Sequence, residues 1–219
     1  MTPHKIIKSN RRTLSISVNE NAELIVRAPK RATNDQIKEF ITEKANWINN
    51  KQTLIRARLN DVKKEQNMYL YLGDLFPIKI AQTKDREIIF NGKEFITTTQ
   101  NKDALNLSLK SWYKKKFKEV AIPRLFYFAN KHNLKINQVR VKEQKTLWGS
   151  CSSKNNINLN YLLIMAPLKV IDYVIIHELV HTIHKNHSAN FWKSVESIMP
   201  NYDDARHWLK ENGYKLRNL

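Results

Sequence analysis

The chain has 219 residues, of which 42% are hydrophobic, enough for one domain of ordinary size or a small domain with an appendage. Scarce Gly and Pro (4 and 6) argue against a large disordered region, and a single cysteine, Cys151, excludes an intrachain disulfide and fits a reducing, cytoplasmic setting. The net charge of +18, from 38 basic and 20 acidic residues, points either to polyanionic partners such as nucleic acid, nucleotides or acidic proteins, or to a basic composition with no specific partner. The charge is spread as +7, +6 and +5 over residues 1–60, 61–132 and 133–219, so it is not a basic tail. The basic N-terminal residues lack the apolar stretch of a secretory signal. No apolar run approaches the roughly 18 residues of a membrane span, so a soluble protein with no membrane contact is expected.

The first hundred residues read as β-hairpin-rich with one long helix inserted. Residues 13–18 alternate (Leu14, Ile16, Val18), as do residues 23–28 (Leu24, Val26), with a hairpin turn over residues 19–22. Pro29 ends the second strand. Thr33 and Gln36 form a capping box, and Ile37, Phe40, Ile41, Ala45, Trp47 and Ile48 continue at a helical period. Gly73-Asp74 and Asn91-Gly92 mark two further hairpins, the second between strands at 87–90 and 94–98. Near residue 100 the character changes, giving expected regions of 1–100 and 101–219. A long helix over 103–131 carries Leu105, Leu109, Trp112, Tyr113, Phe117, Val120 and Ala121, with Pro123 as a candidate kink. Short strands follow at 138–142, 146–150 and 156–163. A helix then runs from Pro167 to about residue 185, and two closing helices lie around 189–198 and 203–211. The expected fold class is α+β.

The helix after Pro167 carries His177-Glu178-Leu179-Val180-His181. Histidines four apart lie on one helical face and can reach one ion, and Glu178 then stands where a general base for metal-activated water belongs. The flanking Val174, Ile175, Ile176, Leu179, Val180 and Ile183 suit a buried helix, where His, Glu and His together without an ion would be costly. Catalytic zinc takes three protein ligands and leaves one position open. His184 lies two turns beyond His177 and is too far along the axis. His187 can return to the ion if the chain reverses at Asn186 in a left-handed conformation; Glu196 on the next helix is the other candidate.

These segments, with Trp148-Gly149-Ser150-Cys151-Ser152-Ser153, Asn158-Leu159-Asn160, Ala166-Pro167, Tyr173-Val174, Asn186-His187-Ser188 and Phe191-Trp192, resemble the YgjP-like metallopeptidase family, which is related to the WLM and SprT-type zinc proteases. Arg11-Arg12, Arg27-Ala28-Pro29 and Trp47-Ile48 are similar to that family's N-terminal region. The resemblance implies a zincin-like catalytic part with a long helix, small sheet, active-site helix and C-terminal helices. It implies one zinc ion on His177, His181 and His187, Glu178 as catalytic acid and base, and a peptide or protein substrate. Some relatives act on proteins crosslinked to DNA, which would suit the positive charge. The family pattern has a basic residue ahead of Trp148, where this chain has Leu147; Lys145 or Arg140 are the nearby substitutes.

Trp148, Gly149 and Asn160 are candidate substrate-binding residues, Gly149 because it permits close backbone approach. Each also has an ordinary packing role as the alternative. Residues 156–163 are a candidate edge strand for an extended peptide. Cys151 is a candidate fourth ligand or a small buried hydrophobe. Met199 is a candidate hydrophobic floor under the ion, or core filling. Three functions compete: a zinc metallopeptidase, a metal-dependent phosphoanhydride hydrolase acting on nucleotides, and a nucleic-acid-binding module with structural zinc. The second lacks a Gly-rich phosphate loop, and the third lacks the cysteines common in closed structural sites.

Overall fold

A computed structural model describes residues 2–64, 67–81 and 88–217, apart from the side chains at 58 and 61–64. The chain divides into two compact units at residues 66 and 67, not near residue 100. The reason is that the hairpins after residue 67 pack on the later helices, as described below. The fold is α+β, with six α-helices and three small sheets among the described residues.

The first unit holds β1 (Lys5–Ser9), β2 (Ser15–Val18), β3 (Leu24–Pro29), α1 (Asn34–Glu43) and α2 (Ala45–Lys64). Strand β3 is central, parallel to β1 and antiparallel to β2. The β2–β3 turn closes on Asn19, whose side-chain oxygen accepts from Asn21 N and Glu23 N, with Ala22 at φ 62°. Leu24, Val26 and Ala28 bury against Ile37, Ile41 and Ile48. The Thr33–Gln36 capping box forms in both directions. The expected long helix is instead two helices broken at Lys44, and Trp47, read as part of the apolar face, is 48% exposed.

The second unit begins with β4 (Met68–Tyr71), β5 (Asp74–Ile80), β6 (Ile89–Phe90) and β7 (Phe95–Thr97), in sheet order β4-β5-β7-β6. Both hairpin turns occur where Gly is needed: Gly73 has φ 99° and Gly92 φ 90°. Residue 87, placed in the strand before Asn91, lies outside the described residues. The 30-residue α3 (Lys102–Lys131) starts on Asn101, which accepts from the amides of Asp103 and Ala104, and continues through Pro123. Its Leu109, Trp112, Tyr113, Phe117, Ala121, Leu125 and Ala129 are buried. The Tyr113 hydroxyl donates to Leu70 O at 2.7 Å, and Trp112 meets Tyr71, Phe90 and Phe95 edge-on.

The third sheet comprises β8 (Gln138–Lys142), β9 (Gly149–Cys151) and β10 (Asn156–Asn160). Strand β10 is central, parallel to β8 and antiparallel to β9. Residues 156–160 are therefore not an edge; β9 is the edge strand nearer the site. A 3₁₀ turn (Tyr161–Met165) leads to α4 (Leu168–Val180), followed by α5 (Ala189–Ile198), α6 (Tyr202–Asn212) and a last 3₁₀ turn (Lys215–Arg217). The β4–β5 hairpin docks beneath the start of α4: Leu72 N and Gly73 N donate to Ile164 O and Met165 O, and a Cβ on Gly73 would fall 2.7 Å from Pro167. Arg124 on α3 grips Asp172 on α4 at two points, 2.5 and 2.6 Å. Thus α4 is fixed at its first turn and along one side. No described helix is long and apolar enough to cross a membrane.

Candidate metal centre

Helix α4 is buried on nearly every side, so the polar residues it carries must be satisfied inside the protein. It ends at Val180, five residues earlier than its apolar pattern suggests, and Ile183 beyond that end is 55% exposed. Residues 181–183 turn tightly, with Thr182 N donating to Leu179 O and Ile183 N to Val180 O. Asn186 does not adopt a positive φ, so the expected left-handed reversal there is not how the chain turns. The early helix end and the loop to Ser188 bring His187 back instead.

The Nε2 atom of His187 lies 3.0 Å from that of His177 and 3.1 Å from that of His181. The ligand atoms of all three lie within 4.8 Å of one another. Among the described residues no other His, Cys, Asp or Glu joins this cluster, so Glu196, exposed on α5, and Cys151 stand outside it. His184 also stands aside, its Nε2 3.2 Å from Ser194 Oγ. Its backbone carbonyl does take part, accepting from His181 Nδ1 at 2.9 Å. That bond fixes the tautomer of His181 with its Nε2 lone pair directed at the other two rings.

Burial keeps His177 and His181 neutral. Burial, then the neighbouring His181, His187 and Arg206, push the His177 pKa down to about 3. Burial also lowers that of His181, against the opposing pull of the His184 carbonyl. Neutral imidazole lone pairs at this separation repel unless a cation lies between them. Tetrahedral zinc with bonds of about 2.0–2.1 Å separates its ligand nitrogens by about 3.3 Å, close to the spacing here. The residues therefore fit a metal ion.

Beside them Glu178 is 5% exposed. Its Oε2 has no hydrogen-bond partner among the described residues, and burial pushes its carboxyl up to about 8. Beneath the cluster lies Phe191, fully buried, with its ring 4.9, 4.6 and 4.8 Å from the rings of His177, His181 and His187. Phe191, not Met199, is the floor. Trp192 stacks on His187 (5.7 Å, 24°) and on Tyr202 (5.5 Å, 17°), with the Arg206 guanidinium 4.7 Å from its centre. The Phe191-Trp192 pair, in the first turn of α5, carries no ligand signal in sequence, and its place beside the three rings shows only in the folded chain.

The candidate substrate residues fall differently. Asn160 is 0% exposed: its amide nitrogen donates to Gln144 O and Leu147 O, and its oxygen accepts from Leu162 N. It cannot reach a substrate, which corrects that expectation; it ties the 144–147 loop to the 3₁₀ turn. Trp148 is half-buried, with Arg217 4.4 Å over its ring. Gly149 faces Glu178 so closely that a Cβ there would meet the carboxylate.

A family model described as the YgjP-like metallopeptidase domain matches residues 12–212, nearly the whole chain. The protein belongs to the YgjP-like metallopeptidase family. It is thus a peptidase-type hydrolase, and membership implies a metal ion and peptide or protein substrates. No curated protein matches this YgjP-like chain. Among solved structures it is similar to the metallopeptidase zymogen abylysin of Pyrococcus abyssi, at 23% identity and a TM-score of 0.37, over 41% of this chain and 93% of that one.

Proposed function

We propose that this YgjP-like protein is a zinc metallopeptidase in which His177, His181 and His187 hold one zinc ion and Glu178 is the general base and acid. The observation that carries the reading is the convergence of three histidine ring nitrogens beside a buried carboxylate whose Oε2 is unbonded among the described residues. When bound, zinc supplies Lewis acidity towards both water and a peptide carbonyl. Glu178 takes the proton from the attacking water and delivers it to the departing amine. A carboxyl held in an apolar setting suits both halves of that exchange, because neither protonation state is strongly preferred near neutrality. His181 is oriented by the His184 carbonyl, and Phe191 excludes water from below the three rings.

The substrate is an extended peptide laid along β9. In the β9–β10 ladder Trp148 O accepts from Asn160 N and Ser152 N donates to Asn156 O, so the backbone groups of Gly149 and Cys151 are left for the outer edge. Polyanion contact is supported by Lys118, Arg140 and Lys142, which line one open groove beside β8; cleavage that weakens steeply with added salt for an acidic or nucleic-acid-linked substrate alone would bear this out. The lone Cys151 suits a cytoplasmic setting. The deciding experiment measures bound zinc and compares cleavage of a protein pool and a nucleotide panel by wild type and Glu178→Gln. Zinc-dependent proteolysis lost in Glu178→Gln is the expected result. Nucleotide hydrolysis without proteolysis would overturn the peptidase reading.

A further inference from the structure

Gly149 does not have a positive φ, so its backbone would accept any L-residue. What excludes a side chain is Glu178. A Cβ on residue 149 would stand 2.5 Å from Oε1, 2.6 Å from Cγ and 2.8 Å from Cδ of Glu178, closer than atoms can approach without displacement. The strand cannot retreat to make room. Gly149 is registered opposite Leu159, which is fully buried, and Trp148 O is bonded to Asn160 N at 2.9 Å. Asn160 also holds Leu147 O. Behind the strand the Trp148 ring is covered by Arg217 and abuts Gly213, where a Cβ would come within 3.0 Å of it. The carboxylate meanwhile leaves Oε2 without a donor among the described residues. A group so placed is located by steric contact and not by hydrogen bonds.

We infer that Gly149 is the positioning residue of the Glu178 carboxylate: its bare Cα face is the wall that sets where the carboxylate oxygens lie. The wall works by volume alone: it meets Oε1, Cγ and Cδ of Glu178 together, so the whole end of the side chain is fixed by one surface. The Trp148-Gly149 segment is then part of the catalytic apparatus by way of Glu178, with Asn160 and the C-terminal turn holding it in place. This rests on Glu178 acting as the general base.

The test is a double-mutant cycle in the full-length chain with zinc present, reading zinc affinity, kcat and Tm for Gly149→Ala, Glu178→Ala and both together, with Glu178→Gln as the reference for the base. Gly149→Ala is expected to keep zinc affinity within about threefold, since it touches no histidine, while kcat falls by about 100-fold, the cost of misplacing a reacting group by about 1 Å. Its Tm should fall in the wild-type background and be restored in the Glu178→Ala background, where the new methyl enters vacated space. A purely structural glycine would lower Tm equally in both. Gly149→Ala with near-wild-type kcat, alongside an inactive Glu178→Gln, overturns the inference and leaves the base intact. An active Glu178→Gln removes the base and the inference with it. Should Gly149→Ala fail to fold alone, the inference requires the double variant to fold; a double variant that also fails overturns it.

Discussion

The two sides of the candidate metal centre are built from different materials. On the α4 side the working atoms are side-chain nitrogens, brought together by a helix, a tight turn and a short loop that returns His187 to within 3.0 Å of His177. On the β9 side the working surface is bare backbone, held by Asn160 and Trp148 from behind and pressed against Glu178. The first side gathers charge-binding groups, and its tolerance for change is set by ligand chemistry. The second only has to be empty in the right place, and its tolerance is set by volume. A residue without a functional group is thus as constrained by its neighbours as a histidine of the cluster.

The largest expected effect sharpens the contrast where the two sides meet. Glu178→Gln keeps the shape that fits Gly149 but removes the base, so proteolysis should fall by about a thousandfold while bound zinc is unchanged; rates and metal content measured together would show it. Next, His187→Ala should take zinc below one ion per chain at concentrations that saturate wild type, whereas Glu196→Gln should leave the titration unaltered. Equal losses in both would move the third ligand to α5.

The β9 side predicts a stability effect instead. Asn160→Ala strands the carbonyls of Gln144 and Leu147 and the amide of Leu162, and should cost about 2–4 kcal/mol in urea unfolding. A loss under about 0.5 kcal/mol would mean that the 144–147 loop does not depend on it. The smallest effect is expected at the outer support of the α4 side. Ser194→Ala frees His184 and loosens the carbonyl that orients His181, so zinc affinity should fall by up to about tenfold with stability nearly unchanged.

What could be read from sequence divides along the same line. His177, Glu178 and His181 follow from helical spacing, and the Thr33–Gln36 cap and the Gly73 and Gly92 turns follow from local chemistry. The place of His187 beside His177 and His181 is legible in the sequence, but the route to it is not: Ile183 extends the apolar pattern although the helix stops at Val180. Strand β1 has mostly exposed residues and so shows no alternation to detect. The place of β10 at the centre of its sheet depends on β8, eighteen residues before it, and a local pattern does not carry such pairing. In the sequence, Asn160 and Gly149 read as substrate candidates, the first as a polar residue near the motif and the second as one that permits close backbone approach. Their partners, residues 144–147 and Glu178, are set by tertiary packing alone.

One zinc site on three histidines, serving Glu178, sets the metal content of the chain. The check is zinc stoichiometry of the 219-residue chain, measured by elemental analysis after equilibration with zinc and removal of the excess, for wild type and His177→Ala. One ion per wild-type chain and none in the variant is the predicted result. A wild-type chain that retains no zinc, or a variant that retains as much as wild type, would contradict it.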